Sequence, residues 1–151
     1  MDAIEMLKAD HKKVKALFRE YEAAGDRAFK TKQRIADEVF SELEVHTMLE
    51  EEIFYPAVKA RANAEGKDLI DEGVEEHHVV KLLIKELKAL TPEDDAFDAK
   101  FKVMTENVEH HIEEEEGEML PDARGRLGDE VETVGDEMEA RKSKLLAAAA
   151  R

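Results

Sequence analysis

The sequence contains no cysteine, which excludes disulfides, thiolate nucleophiles, iron–sulfur clusters and Cys-based zinc sites together. A bound metal would have to be held by His and carboxylate side chains. Basic residues are in short supply: 23 Lys and Arg stand against 38 Asp and Glu, a formal net charge of −15, and no segment gathers Lys and Arg densely. Nucleic acid and membrane surfaces are therefore not expected as partners. Apolar runs are short. One of the longest, Leu145 to Ala150, falls far below the roughly 20 residues of a membrane span, and Met1-Asp2 opens no signal peptide. The reading is of a soluble, cytoplasmic protein. Glycine and proline are scarce, at seven and three in 151 residues, while 42% of the chain is hydrophobic and 40% charged. That is the balance of amphipathic helices and not of a disordered acidic chain.

Apolar residues recur at three- and four-residue spacing in four long stripes. The first runs Ile4, Leu7, His11, Val14, Phe18, Tyr21 and predicts a helix over about Asp2 to Ala24, ended near Gly25. The second, Ile35, Val39, Leu43, His46, Glu50, Ile53, Ala57, follows a Thr31 cap, and Pro56 is expected to kink or break it before the Asn63 to Gly66 connector. The third, Ile70, Val74, His77, Val80, Ile84, Leu87, stops at Thr91-Pro92; the fourth, Phe97, Phe101, Met104, Val108, His111, Glu115, Met119, stops at Pro121. A fifth, more polar stripe runs from Leu127 through Val131, Val134 and Met138 to Leu145. Short loops make neighbours antiparallel. The fold class expected is all-α: an antiparallel up-and-down four-helix bundle over residues 1–121, with a connector and an additional C-terminal helix over residues 122–151 packed on its outside.

Polar residues interrupt the stripes in a pattern. There is one histidine per helix, at His11, His46, His77 and His111, together with Glu50 and Glu115. Each His and Glu four apart share a helical face and can present a nitrogen and a carboxylate to one point. His46, Glu50, Glu51, Pro56 and His111, Glu115, Glu116, Pro121 also repeat at the same offsets, so the chain reads as two related αα-hairpins. Counting along each hairpin, His11 and His46 both lie about 20 Å from their shared turn at 1.5 Å per residue, and His77 and His111 stand in the same relation. The separations agree, 35 and 34 residues. An interior holding two carboxylates and four imidazoles, with no Lys or Arg on the stripes, pays a heavy desolvation cost that bound cations remove. Imidazole with carboxylate suits iron, manganese or zinc, and six ligands from four helices exceed one closed zinc site. His77 is favoured over His78, and His111 over His110, by phase with the neighbouring apolar residues. The acidic runs Glu50 to Glu52 and Glu113 to Glu116 otherwise read as mostly solvated faces.

At these residues the sequence resembles the hemerythrin-like, or HHE cation-binding, family: His11, the His46 and Glu50 pair, His77, then the His111 and Glu115 pair. The segments Leu7-Lys8-Ala9-Asp10-His11, Glu50-Glu51-Glu52-Ile53-Phe54-Tyr55-Pro56 and Glu75-Glu76-His77 are similar to the family as well. The resemblance implies a non-heme diiron centre, oxo- or hydroxo-bridged. His11, His46, His77 and His111 would be terminal ligands, and Glu50 and Glu115 would bridge. The oxygen-carrying branch has a fifth His one turn from the third-helix ligand, where this chain has Gly73 and Lys81. Taking six positions per iron as the resemblance implies, two positions stay open. This points away from reversible oxygen carriage and toward a centre that reacts with oxygen, hydrogen peroxide or nitric oxide, with a peroxide-decomposing, catalase-like activity as one form. An iron or oxygen sensor or store is the alternative, and a metal-free interaction module the third reading. Ferritin-like proteins want two ExxH pairs; this chain has one, Glu75 and His78.

Overall fold

The computed structural model describes residues 1–150, so Arg151 at the end of the expected C-terminal segment lies outside the described residues. The described chain is helical apart from short connectors. Helix α1 spans Ala3–Ala23 and α2 Phe29–Leu49; a π turn, π1, over Glu50–Phe54 leads into α3, Tyr55–Lys59. Helix α4 spans Ala64–Lys88 and α5 Asp95–Glu114; a second π turn, π2, over Glu115–Met119 leads into α6, Leu120–Leu127, and α7 spans Glu130–Ala149. Helices α1 and α2 form one hairpin and α4 and α5 the other, and α7 lies against α1, α2 and π1. Among the described residues, no helix is long and apolar enough to cross a membrane.

Local chemistry explains where helices begin. Asp2 caps α1 by accepting from Glu5 N–H at 2.7 Å, and Asn63 caps α4 by accepting from Gly66 N–H at 2.9 Å. The Asn63 cap starts α4 earlier than the stripe from Ile70 indicated. Thr31 caps nothing, since α2 has already begun at Phe29. Gly128 is the only positive-φ residue among those described, with φ 54°, and it turns the chain between α6 and α7 at a conformation that disfavours a Cβ.

Pro56 and Pro121 do not end their helices. A proline ring crowds the carbonyl four residues back and offers no N–H. In both helices a π turn lies immediately before it: Tyr55 N–H reaches Glu50 O, and Leu120 N–H reaches Glu115 O. The wider turn accommodates the ring, and the backbone stays right-handed helical through Phe54 and Met119. The fourth helical run therefore passes Pro121 and continues to Leu127 instead of stopping.

Two apolar clusters sandwich the polar layer. One holds Val14, Phe18, Leu43, Val80, Phe101 and Val108; the other holds Ile4, Leu7, Leu49, Phe54, Ile70 and Met119 with Val131, Val134 and Met138 of α7. Helix α7 thus packs on the bundle and contributes to its core. It is fastened by Lys142 to Asp10 at 3.0 Å and Arg141 to Glu52 at 3.0 Å. A Cβ at Gly135 would collide with the Met1 carbonyl and crowd backbone atoms of Asp2 and Ala3, so Gly135→Ala is expected to cost about 2 kcal/mol, in the range of overpacked sites. A urea titration of the two proteins checks it.

Candidate metal centre

The helical stripes place His11, His46, Glu50, His77, His111 and Glu115 in the interior, at 3%, 6%, 0%, 3%, 7% and 1% exposure. His78 and His110 face solvent. The rings of His11 and His46 meet with centroids 5.0 Å apart, and those of His77 and His111 at 4.8 Å. Each hairpin thus contributes one imidazole pair. The carboxylates reach across. Glu50 Oε1 lies 3.0 Å from His46 Nε2 and 3.2 Å from His77 Nε2. Glu115 places Oε1 3.3 Å from His11 Nε2 and Oε2 2.9 Å from His111 Nε2. Both carboxylates therefore approach one histidine from each hairpin.

Short as these distances are, several are not hydrogen bonds. His11 Nε2, His46 Nε2, both Glu50 oxygens and Glu115 Oε1 are buried without a hydrogen-bond partner. Each such group costs about 1–3 kcal/mol in a folded protein, and five in one place fit a cation between them. Donor atoms of Glu50, His77, His111 and Glu115 lie within 4.8 Å of one another, as do those of His11, His46 and Glu115. A nitrogen and oxygen donor set of this kind fits iron, manganese or zinc.

A ring of outer carboxylates orients the imidazoles, and sequence reading missed it. His11 Nδ1 pairs with Glu116 at 2.6 Å, His46 Nδ1 with Asp10 at 2.9 Å, His77 Nδ1 with Glu51 at 2.8 Å and His111 Nδ1 with Glu76 at 2.6 Å. Such partners hold the Nδ1 proton and leave Nε2 free to bind a metal. Glu51 and Glu116 are thus not merely solvated surface, as the acidic runs suggested. The available signal was adjacency: Asp10 and Glu76 precede a stripe histidine, and Glu51 and Glu116 follow a stripe glutamate.

Tyr55 breaks the twofold pattern, because Leu120 stands in the corresponding place. Its hydroxyl donates to Glu115 Oε2 at 2.7 Å and lies 3.4 Å from His77 Nε2. Burial, reinforced by the Glu50 and Glu115 charges, pushes the phenol well above its ordinary range, so it stays protonated. A Cβ on Gly73 would sit 3.2 Å from this hydroxyl and 3.2 Å from Met119 Cε. Tyr55 and Met119 therefore occupy the space a side chain at Gly73 would need, and Lys81 is engaged with Glu51 at 2.8 Å.

The electrostatics ask for positive charge. Burial lowers the pKa of His46, but the Glu50 charge and the Asp10 bond outweigh it and raise it well above 6.5. His111 is pushed up to about 10: burial opposes the shift, and contacts with Glu115 and Glu76 win. Glu115 is held well below the usual carboxylate range despite burial, by its contacts with Glu50, His11 and His111. Next to the imidazoles is a small cavity of about 30 Å³, walled by Val14, Leu43, Val80 and Val108 together with Asp10, Thr47 and the four histidines.

The geometry has counterparts among known proteins. The family model for the Hemerythrin HHE cation binding domain matches residues 2–123. A crystal structure of an HHE domain-containing protein from Mycobacterium kansasii superimposes with a TM-score of 0.84 at 26% identity, covering 99% of this chain and 90% of that one. The uncharacterized protein Rv2633c of Mycobacterium tuberculosis is 30% identical over 150 residues, 96% of this chain and 88% of its own length. A protein of Nostoc sp. named DNA nickase is 28% identical over 147 residues, 96% of this chain, but the chain spans only 40% of that protein. With the buried histidines and carboxylates on four helices and the family match over nearly the whole bundle, this chain belongs to the hemerythrin HHE cation-binding domain family.

Proposed function

We propose that His11, His46, Glu50, His77, His111 and Glu115 hold two iron ions as a non-heme diiron centre that reacts with oxygen, hydrogen peroxide or nitric oxide in the cytoplasm. The observation that carries this reading is the set of five unpartnered buried atoms, His11 Nε2, His46 Nε2, both Glu50 oxygens and Glu115 Oε1, on carboxylates that also approach His77 and His111. His11 with His46, and His77 with His111, supply two terminal sets, and Glu50 and Glu115 are the groups common to both. Iron bound there would supply electrons for reduction of a small oxidant. The protein contributes the rest. The small cavity beside the imidazoles leaves room for a small molecule next to the centre, the outer carboxylates hold the imidazole protons away from the interior, and Tyr55 keeps a proton on the inner face. The nicking activity named for the Nostoc relative is not extended to this chain, whose charge of −15 would repel a nucleic acid backbone.

An iron sensor or store using the same ligands is the second reading. The contact that favours it is Lys142 to Asp10 to His46, which joins α7 to one ligand.

A metal count with an optical spectrum before and after oxidant tests the proposal. About two iron ions per chain are expected after loading, because six ligands exceed one closed site. The reduced protein is expected to be oxidised by air without a reversible oxygen-carrying state, and to consume peroxide faster than the same amount of free iron. A fully loaded sample with at most one tight ion contradicts the two-iron centre, and stable reversible oxygenation contradicts the reactivity.

A further inference from the structure

A second group of donor atoms lies on the surface between α4 and α5. His110 Nε2 is 3.1 Å from Glu114 Oε1, one turn along α5. Glu76 of α4 joins them, with one donor atom of each residue within 4.8 Å of the others. The ion pairs of Glu76 and Glu114 are with histidines alone, His111 and His110. Of the other outer carboxylates, Asp10 and Glu51 are neutralised by Lys142 and Lys81, while Glu116 pairs with His11. Two carboxylates brought together without a lysine or arginine repel each other, by about 1 kcal/mol even at the dielectric of water; a divalent cation between them reverses the sign.

The cluster also has somewhere to lead. A narrow cavity carries Glu72, Glu76 and Glu114 on its outer wall and Met119, His111 and Glu115 on its inner wall. Glu115 is 1% exposed and its Oε1 has no hydrogen-bond partner. The cavity thus joins two half-buried carboxylates of the cluster, Glu76 and Glu114, to a buried carboxylate with one unpartnered oxygen, with a flexible methionine in between.

We propose that Glu76, His110 and Glu114 form a surface acquisition site for a divalent cation, and that ferrous iron passes from it to the buried centre beside Met119. The transfer step rests on the reading that the buried cluster holds iron; the surface site itself does not.

The experiment uses the full chain stripped of metal, with ferrous iron added without oxygen. Ions per chain are counted by equilibrium dialysis at rising free iron, and the loading rate is followed at limiting iron. The wild type is expected to bind about two ions tightly and one more weakly. The double variant His110→Ala with Glu114→Gln is expected to keep the tight ions, lose the weak one and load about ten-fold more slowly, the scale on which charged clefts raise capture rates. Glu109→Gln, an exposed charge on the same helix, should load at the wild-type rate. A double variant that retains the weak ion overturns the surface site, and one that loses it but loads normally overturns the transfer. Absence of the tight ions in wild type would defeat the diiron reading and with it the transfer, while the weak ion, present in wild type and absent in the variant, would still support the surface site.

Discussion

Stripping the metal is expected to lower the thermal midpoint by about 10 °C or more near pH 7.5 and to reverse the direction in which stability changes with pH. Each ion held at a hundred- to thousand-fold excess over its Kd adds about 2.7–4.1 kcal/mol, and 1 kcal/mol moves the midpoint of a chain this size by roughly 2–4 °C. The metal-free protein meets the demand for positive charge with protons. His111 is raised to about 10 from its ordinary 6.5, so its stabilising contribution is fully present below pH 6.5 and is lost as pH rises toward 10. His46 shifts in the same direction. Glu115 is lowered from 4.5, so its contribution is present above pH 4.5 and lost as pH falls below it. The metal-free protein should therefore be most stable between about pH 4.5 and 6.5 and decline as pH rises further. The loaded protein needs neutral imidazole and ionised carboxylate, so acid releases its metal and its stability rises over the range where the stripped protein declines. Melts of both forms from pH 5.5 to 9 decide the matter; parallel slopes or equal midpoints would contradict the coupling.

His46→Ala and His111→Ala are expected to remove most of the bound iron, while His78→Ala leaves occupancy unchanged. His78 is exposed on α4 beside the buried His77, so only one of the adjacent pair faces the interior. The outer carboxylates give a graded effect. Asp10→Ala and Glu76→Ala retain every inner donor but free the Nδ1 sides of His46 and His111, and partners of this kind are worth about 10–100-fold in metal affinity. Competition with a coloured chelator measures these losses. Equal affinity in wild type and Asp10→Ala would show that the Asp10 to His46 bond does no orienting, and a greater loss from His78→Ala than from His46→Ala would exchange their roles.

Helical phase accounts for what could be read without coordinates. With 3.6 residues per turn, Val14 and Leu7 fix the face on which His11 lies, and Val108 and Glu115 do the same for His111. Equal distances from a shared turn set the two members of each hairpin at one level. The six inner residues and the all-helical class follow from those two rules and the amino-acid order.

The outer carboxylates do not follow from them. Asp10 and Glu51 are one residue away from His11 and Glu50, hence about 100° around the helix, at the boundary between interior and solvent. Whether such a group faces water or a neighbour's Nδ1 depends on which helix stands beside it and how closely, so the pairing of Glu51 with His77 and of Glu116 with His11 was decided by packing. The same holds for Tyr55, whose hydroxyl enters the centre because Gly73 on α4 leaves it space. Backbone adjustment of the kind seen before Pro56 and Pro121 is likewise a response of the folded helix, in which π turns keep the run intact where proline's local rule predicts an end. The sequence by itself determined which residues face inward, because periodicity is a property of each helix alone. Tertiary structure decided how those residues are oriented, paired and reached, because those depend on contacts between helices that no single helix contains.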